Sequence, residues 1–141
     1  MIRQYKPEDT RVIADIWRKA SALAHPFLSA AFLEQEADNL VNIYLKVAQT
    51  RVTEFDGKVV GFIAMIDSEI GGLFLDPDYH GRGLGRALVD REVQERGALK
   101  VDVFKENTIG RRFYHDYGFT GSEEYHHEPS GHLTLTLQFT P

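Results

Sequence analysis

Apolar residues return along this chain in two rhythms. Val12, Ile13, Ile16, Trp17, Ala20 and Leu23 recur at helical spacing. Pro7-Glu8-Asp9-Thr10 places a proline and acidic residues in the first turn of that helix. His25-Pro26 ends it, because the residue before a proline is pushed out of the helical region. A second helix is predicted from Ser29, a suitable N-cap, to about Ala48, burying Leu33, Ala37, Leu40, Val41, Tyr44, Leu45 and Ala48.

The second rhythm is that of strands. Met1 to Lys6 reads as a short first strand. Thr50 to Phe55 and Lys58 to Ile66 form a hairpin about Asp56-Gly57. Further strands are predicted at Glu69–Asp76, Leu99–Phe104, Phe119–His127 and Leu133–Phe139, with helices at Leu84–Arg96 and Thr108–Tyr117. In the last strand Leu133, Leu135, Leu137 and Phe139 alternate with Thr134, Thr136 and Gln138, giving one buried face and one wet face. The order β, α, α, β, β, β, α, β, α, β, β departs from regular βαβ alternation and predicts an α+β, mixed-sheet architecture. No repeat or linker interrupts it, so residues 1–141 are expected to form a single domain.

Composition narrows the function. Sixteen Lys plus Arg against 21 Asp plus Glu gives a net charge of −5, which argues against bulk nucleic-acid binding and is compatible with a cationic acceptor such as an amine. The absence of cysteine removes disulfides, thiolate metal ligands and a cysteine nucleophile. The six histidines lack metal-ligand spacing, so no metal is expected. No apolar run approaches the ~20 residues of a membrane span, and a cytoplasmic protein without membrane contact is expected.

The chemistry concentrates after the Glu69–Asp76 strand, in His80-Gly81-Arg82-Gly83-Leu84-Gly85-Arg86. Alternating glycines let a ligand come close to the backbone, and the following helix start offers free N–H groups to a phosphate. On these residues alone a pyrophosphate cradle and a structural turn are equally good readings. A dinucleotide site is excluded, since a glycine is missing at the sixth position whether counting starts at Gly81 or Gly83. A P-loop is excluded because no Gly-Lys-Ser/Thr follows.

A later segment decides between them. Asn107-Thr108-Ile109-Gly110-Arg111-Arg112-Phe113-Tyr114-His115-Asp116-Tyr117-Gly118-Phe119 follows a strand about one helix beyond the loop. Together the two segments resemble the GNAT superfamily of acyl-CoA-dependent N-acyltransferases. Its loop is Gln/Arg-x-x-Gly-x-Gly/Ala, and its later signature is Asn-x-x-Ala-x-x-Phe-Tyr-x-x-x-Gly-Phe. The element order is similar too, so the resemblance covers nearly the whole chain and implies a mostly antiparallel central sheet flanked by about four helices. His25-Pro26-Phe27-Leu28 is a shorter match to small bacterial members, some assigned as protein-lysine acetyltransferases. Two positions depart from the pattern: His80 replaces Gln or Arg at the head of the loop, and Gly110 replaces Ala.

The resemblance implies direct transfer of an acetyl group from acetyl-CoA to a primary amine. Gly81, Arg82, Gly83, Leu84, Gly85 and Arg86, with His80, would hold the pyrophosphate. The main chain of Leu73, Phe74 and Leu75 would pair with the pantetheine arm. Asn107 would meet that arm, and Gly110 and Phe113 would lie beside the cofactor. Tyr114 would be the general acid: a phenol of pKa ~10 stays protonated at neutral pH and can serve the leaving thiolate. Glu69 is the candidate base, with His25, His126 and His127 as alternatives. The acceptor pocket is expected near His25, Phe27, Phe32, Phe62 and Tyr125. A non-catalytic acyl-CoA-binding regulatory domain is the alternative function. The acceptor, and the choice between monomer and homodimer, stay open.

Overall fold

The computed structural model describes residues Met1–Pro141. Its elements are β1 (Ile2–Gln4), α1 (Thr10–Ala24), α2 (Ala30–Asn39), α3 (Leu45–Val47), β2 (Gln49–Phe55), β3 (Lys58–Ile66), β4 (Glu69–Leu75), α4 (Leu84–Arg96), β5 (Leu99–Phe104), α5 (Thr108–Tyr117), β6 (Thr120–His127) and β7 (His132–Phe139). The seven strands form one sheet in the order β1-β2-β3-β4-β5-β7-β6. Every neighbouring pair is antiparallel except β4 and β5. The α+β, mostly antiparallel architecture read from the sequence is therefore the one observed.

Strand alternation sorts the two faces of the sheet. Ile63, Met65, Ile70, Val101, Val103, Leu135 and Leu137 face α4 and α5, where they meet Leu88, Val89 and Tyr114. Val52 and Phe62 point the other way, onto Ile13, Ile16, Trp17 and Leu40 of the N-terminal helices. The β2–β3 hairpin turns at Asp56 and Gly57, both with positive φ (54° and 75°), which matches the right-handed twist of the flanking strands.

The second helix departs from expectation. Instead of one regular helix from Ser29 to Ala48, α2 gives way to a π-turn at Leu40–Tyr44 before the short α3. The wider turn lets Leu40 and Leu45, five residues apart, both be buried. It also lays the Tyr44 hydroxyl against β4, in the space that a Cβ at Gly71 would fill. Helix α4 is fixed differently. Glu92, 1% exposed, accepts from Arg51 of β2 and from Arg96 one turn along its own helix. Pairing with two cations offsets the desolvation of its charge. No helix is long and apolar enough to cross a membrane.

Candidate active site

The one parallel pairing makes the site. β4 and β5 share only Glu69↔Lys100 and Ile70↔Val101 in register. Beyond those pairs the strands part, and a cleft of about 690 Å³ opens between them. Gly72 to Leu75 keep β3 on one side and have no partner strand on the other, and Gly71 is bulged out of the β3 register. An extended chain can add to such an edge by main-chain hydrogen bonds. The cleft is closed at one end by the glycine loop, at another by the start of α5, and above by Ala20, Leu23, Ala24 and His25 at the end of α1.

The glycine loop supplies a row of donors. Gly81 and Gly83 are left-handed, with φ of 78° and 76°, and a Cβ at either would touch nothing within 4 Å. These glycines are therefore there for backbone conformation, not for space. The N–H groups of Gly81, Arg82 and Gly83 donate to no acceptor in the chain. Those of Leu84, Gly85 and Arg86 belong to the first turn of α4, which has no intrahelical partners to offer. Gly85 serves packing instead: a Cβ there would lie 3.3 Å from both Leu75 and Phe113. Unpaired amides at a helix start, joined to an unpaired strand edge, fit a pyrophosphate carrying an extended arm.

Helix α5 brings two further groups to the cleft. Asn107 caps it, its Oδ1 accepting from Gly110 N at 2.8 Å. Tyr114 is 6% exposed and sits edge-on to Phe113 and Phe119 at 5.2 and 5.1 Å between ring centroids. Burial pushes its pKa well above the usual range. Its hydroxyl makes no hydrogen bond within the chain, although the residue lines the cleft. The hydroxyls of Tyr117 and Tyr125, by contrast, donate to Asp90 at 2.6 Å and to Asp102 at 2.8 Å.

Most of the expected site residues meet in this cleft: His25, Leu73, Phe74, Leu75, His80, Gly81, Gly83, Leu84, Gly85, Arg86, Asn107, Gly110, Phe113 and Tyr114 all line it. Five do not. The Arg82 guanidinium lies over the rings of Phe55 and Tyr79, 5.0 and 5.3 Å from their centroids, where cation–π attraction turns it away from the cleft. Glu69 stands at the still-paired end of β4, its carboxylate 3.5 Å from Lys100 Nζ. Phe27 is packed among His25, Phe104 and His132. Tyr125 reaches the site only through Asp102. Phe62 is fully buried in the core beneath α1. At Gly110 the space that a Cβ would occupy belongs to the Asn107 side chain.

Asp102 escaped the sequence reading. It lines the cleft, and its carboxylate accepts from Tyr125 on Oδ2 at 2.8 Å and from Thr136 on Oδ1 at 2.9 Å. The signal was present in the alternation of β5: Leu99, Val101 and Val103 face the core, which turns Lys100, Asp102 and Phe104 to the opposite face.

Comparison with known proteins agrees with this geometry. Residues 46–121 match the model of the acetyltransferase (GNAT) domain. The chain belongs to the GNAT acetyltransferase family. It is 33% identical over 126 residues to the peptidyl-lysine N-acetyltransferase YjaB of Salmonella typhimurium, covering 87% of this chain and 86% of that one. The solution structure of apo YjaB from Escherichia coli superposes with a TM-score of 0.86 at 27% identity, covering 99% of this chain and 96% of that one. The PaiA N-acetyltransferase of Thermoplasma acidophilum, solved in complex with coenzyme A, shares the fold with a TM-score of 0.79 at 16% identity, covering 99% and 98% of the two chains. This GNAT protein is an acetyl-CoA-dependent N-acetyltransferase that acts on an amine. Its relatives are named as enzymes, which favours turnover over a merely acyl-CoA-binding role.

Proposed function

We propose that this GNAT enzyme, acting as one domain over residues 1–141 in the cytoplasm, acetylates lysine side chains of proteins or peptides. The observation that carries the reading is the parted β4–β5 seam. It sets a free strand edge, a row of unpaired amides, the Tyr114 phenol and the Asp102 carboxylate around one cleft. Relatives named as peptidyl-lysine N-acetyltransferases support lysine as the acceptor.

In this reading the amides from Gly81 to Arg86 bind the pyrophosphate, and His80 and Arg86 add polar side chains at its border. The main chain of Leu73, Phe74 and Leu75 holds the arm extended, and the amide of Asn107 meets it from the other wall. Acetyl-CoA, when bound, supplies the thioester. Asp102 takes the proton of the incoming lysine ammonium, directly or through water, so that a neutral amine can attack. The geometry favours Asp102 over Glu69 for this role, since Asp102 lines the cleft and Glu69 is engaged by Lys100. Tyr114 gives its hydroxyl proton to the departing sulfur, and the second proton, shed by the nitrogen after attack, returns through water to the phenolate. Its raised pKa keeps it protonated throughout the physiological range.

The test is calorimetric binding of acetyl-CoA and ATP, followed by mass spectrometry of products from lysine-containing peptides with free or blocked N-termini. Preference for acetyl-CoA and Nε-acetyl-lysine on both peptide sets is expected. Modification of free N-termini alone would overturn the acceptor, and preference for ATP would overturn the site.

A further inference from the structure

His25 is buried, at 9% exposure, at the end of α1. Its backbone N–H closes the last helical turn on Ser21 O at 2.8 Å, and its carbonyl accepts from Leu28 N at 3.1 Å. Phe27 and Phe104 lie edge-on to its ring, at 5.7 and 5.2 Å between centroids. Its position is thus set from both backbone and ring. Across the cleft, 82 residues further along the chain, its Nε2 lies 3.1 Å from Asn107 Nδ2.

The protons on this contact follow from what surrounds it. Gly110 N–H can only donate, so the Asn107 atom facing it must be the oxygen. The amide nitrogen therefore faces His25, and Nε2 must be the unprotonated ring nitrogen that accepts. Burial, which pushes the imidazole pKa down to about 4, keeps the ring neutral. The Asn107 amide is held at both ends. One N–H and one oxygen lone pair remain for the cleft that it lines. Gly110 belongs to the same arrangement: a Cβ there would stand 2.6 Å from Asn107 Nδ2 and push it off the histidine.

We propose that His25 is a positioning residue that locks the Asn107 amide in the orientation that receives the acyl-CoA arm, with Gly110 leaving room for that orientation. The inference rests on the proposed contact of Asn107 with the arm. It reassigns His25 from acceptor binding and proton transfer to cofactor alignment.

The test is a double-mutant cycle read by acetyl-CoA calorimetry on the full chain. His25→Leu weakens acetyl-CoA binding by about tenfold, as expected for one hydrogen bond to a buried group. His25→Gln, whose carbonyl can still accept, stays within about threefold of wild type. Asn107→Ala weakens binding at least as much as His25→Leu, and adding His25→Leu to it costs nothing more. Steady-state assays then place the His25→Leu defect on KM for acetyl-CoA and not on KM for the peptide. Should His25→Leu fail to fold, Gly110→Ala displaces the same amide from the other side and is expected to give a similar loss. Additive losses at His25 and Asn107, or a His25→Leu protein that binds acetyl-CoA normally, would overturn the lock alone. A wild-type protein that does not bind acetyl-CoA would overturn the lock together with the proposed function.

Discussion

The Tyr125 hydroxyl donates to Asp102 Oδ2 at 2.8 Å, and Thr136 holds the other carboxylate oxygen at 2.9 Å. Both donors come from strands on the far side of β5 from the cleft opening. They brace a carboxylate whose own strand keeps β7 but has parted from β4. Asp102→Asn is expected to lower kcat/KM by about a hundredfold, within the usual range for a proton-transfer group. Glu69→Gln is expected to change it by less than about threefold. Thiol-release assays on a lysine peptide decide this, and the reverse ranking would return the base to Glu69.

Tyr114→Phe removes only the hydroxyl, which makes no hydrogen bond in the chain. The ring packing against Phe113 and Phe119 is preserved. Turnover is expected to fall by about tenfold or more, with acetyl-CoA affinity and melting temperature nearly unchanged. Unchanged turnover would take Tyr114 out of the mechanism.

His25 makes a prediction about acid stability. Its folded pKa, about 4, lies below the ordinary 6.5. As the pH falls, the unfolded chain takes up this proton first. The resulting loss of stability develops between about pH 6.5 and 4 and is absent above that window. The loss is of the order of 3 kcal/mol by pH 4. Denaturant unfolding of wild type and His25→Gln at matched pH values isolates it. Parallel curves for the two proteins through this window would refute the assignment.

Glu92→Gln tests the anchoring of α4. Glu92 is 1% exposed and faces Arg51 and Arg96. Arg51 also meets Glu95, and Arg96 also meets Asp67 O and Gln49. Because the two arginines keep these partners, the expected loss is about 2–3 kcal/mol, somewhat below that for stranding a buried charge. A drop in the denaturant midpoint with an unchanged slope is the expected observation.

The parts of this fold that could be read from sequence are those whose cause is local. The alternation of Leu133, Leu135 and Leu137, the glycine turn and the Thr108–Tyr117 helix each carry their signal within a dozen residues. The π-turn at Leu40–Tyr44 does not, because it answers to how Leu40 and Leu45 must meet the sheet. Asp102 was legible as to face but not as to place, since alternation cannot say that β4 leaves β5 after two pairs. The course of the Arg82 side chain was not legible either, since Phe55 reaches its guanidinium from the end of β2, 27 residues away in sequence. The His25–Asn107 contact spans 82 residues and has no sequence signal of its own.

The two-pair seam between β4 and β5 also bears on how the molecule withstands heat and proteolysis. Mechanically the sheet is a four-stranded leaf and a three-stranded leaf on a narrow hinge. A donor molecule lying along β4 would stand in for the missing neighbour and brace one leaf against the other. By mass action, bound donor at a hundred times its dissociation constant adds about 2.7 kcal/mol to the folded state. The abundance of such an enzyme would then follow the supply of acetyl groups that it spends.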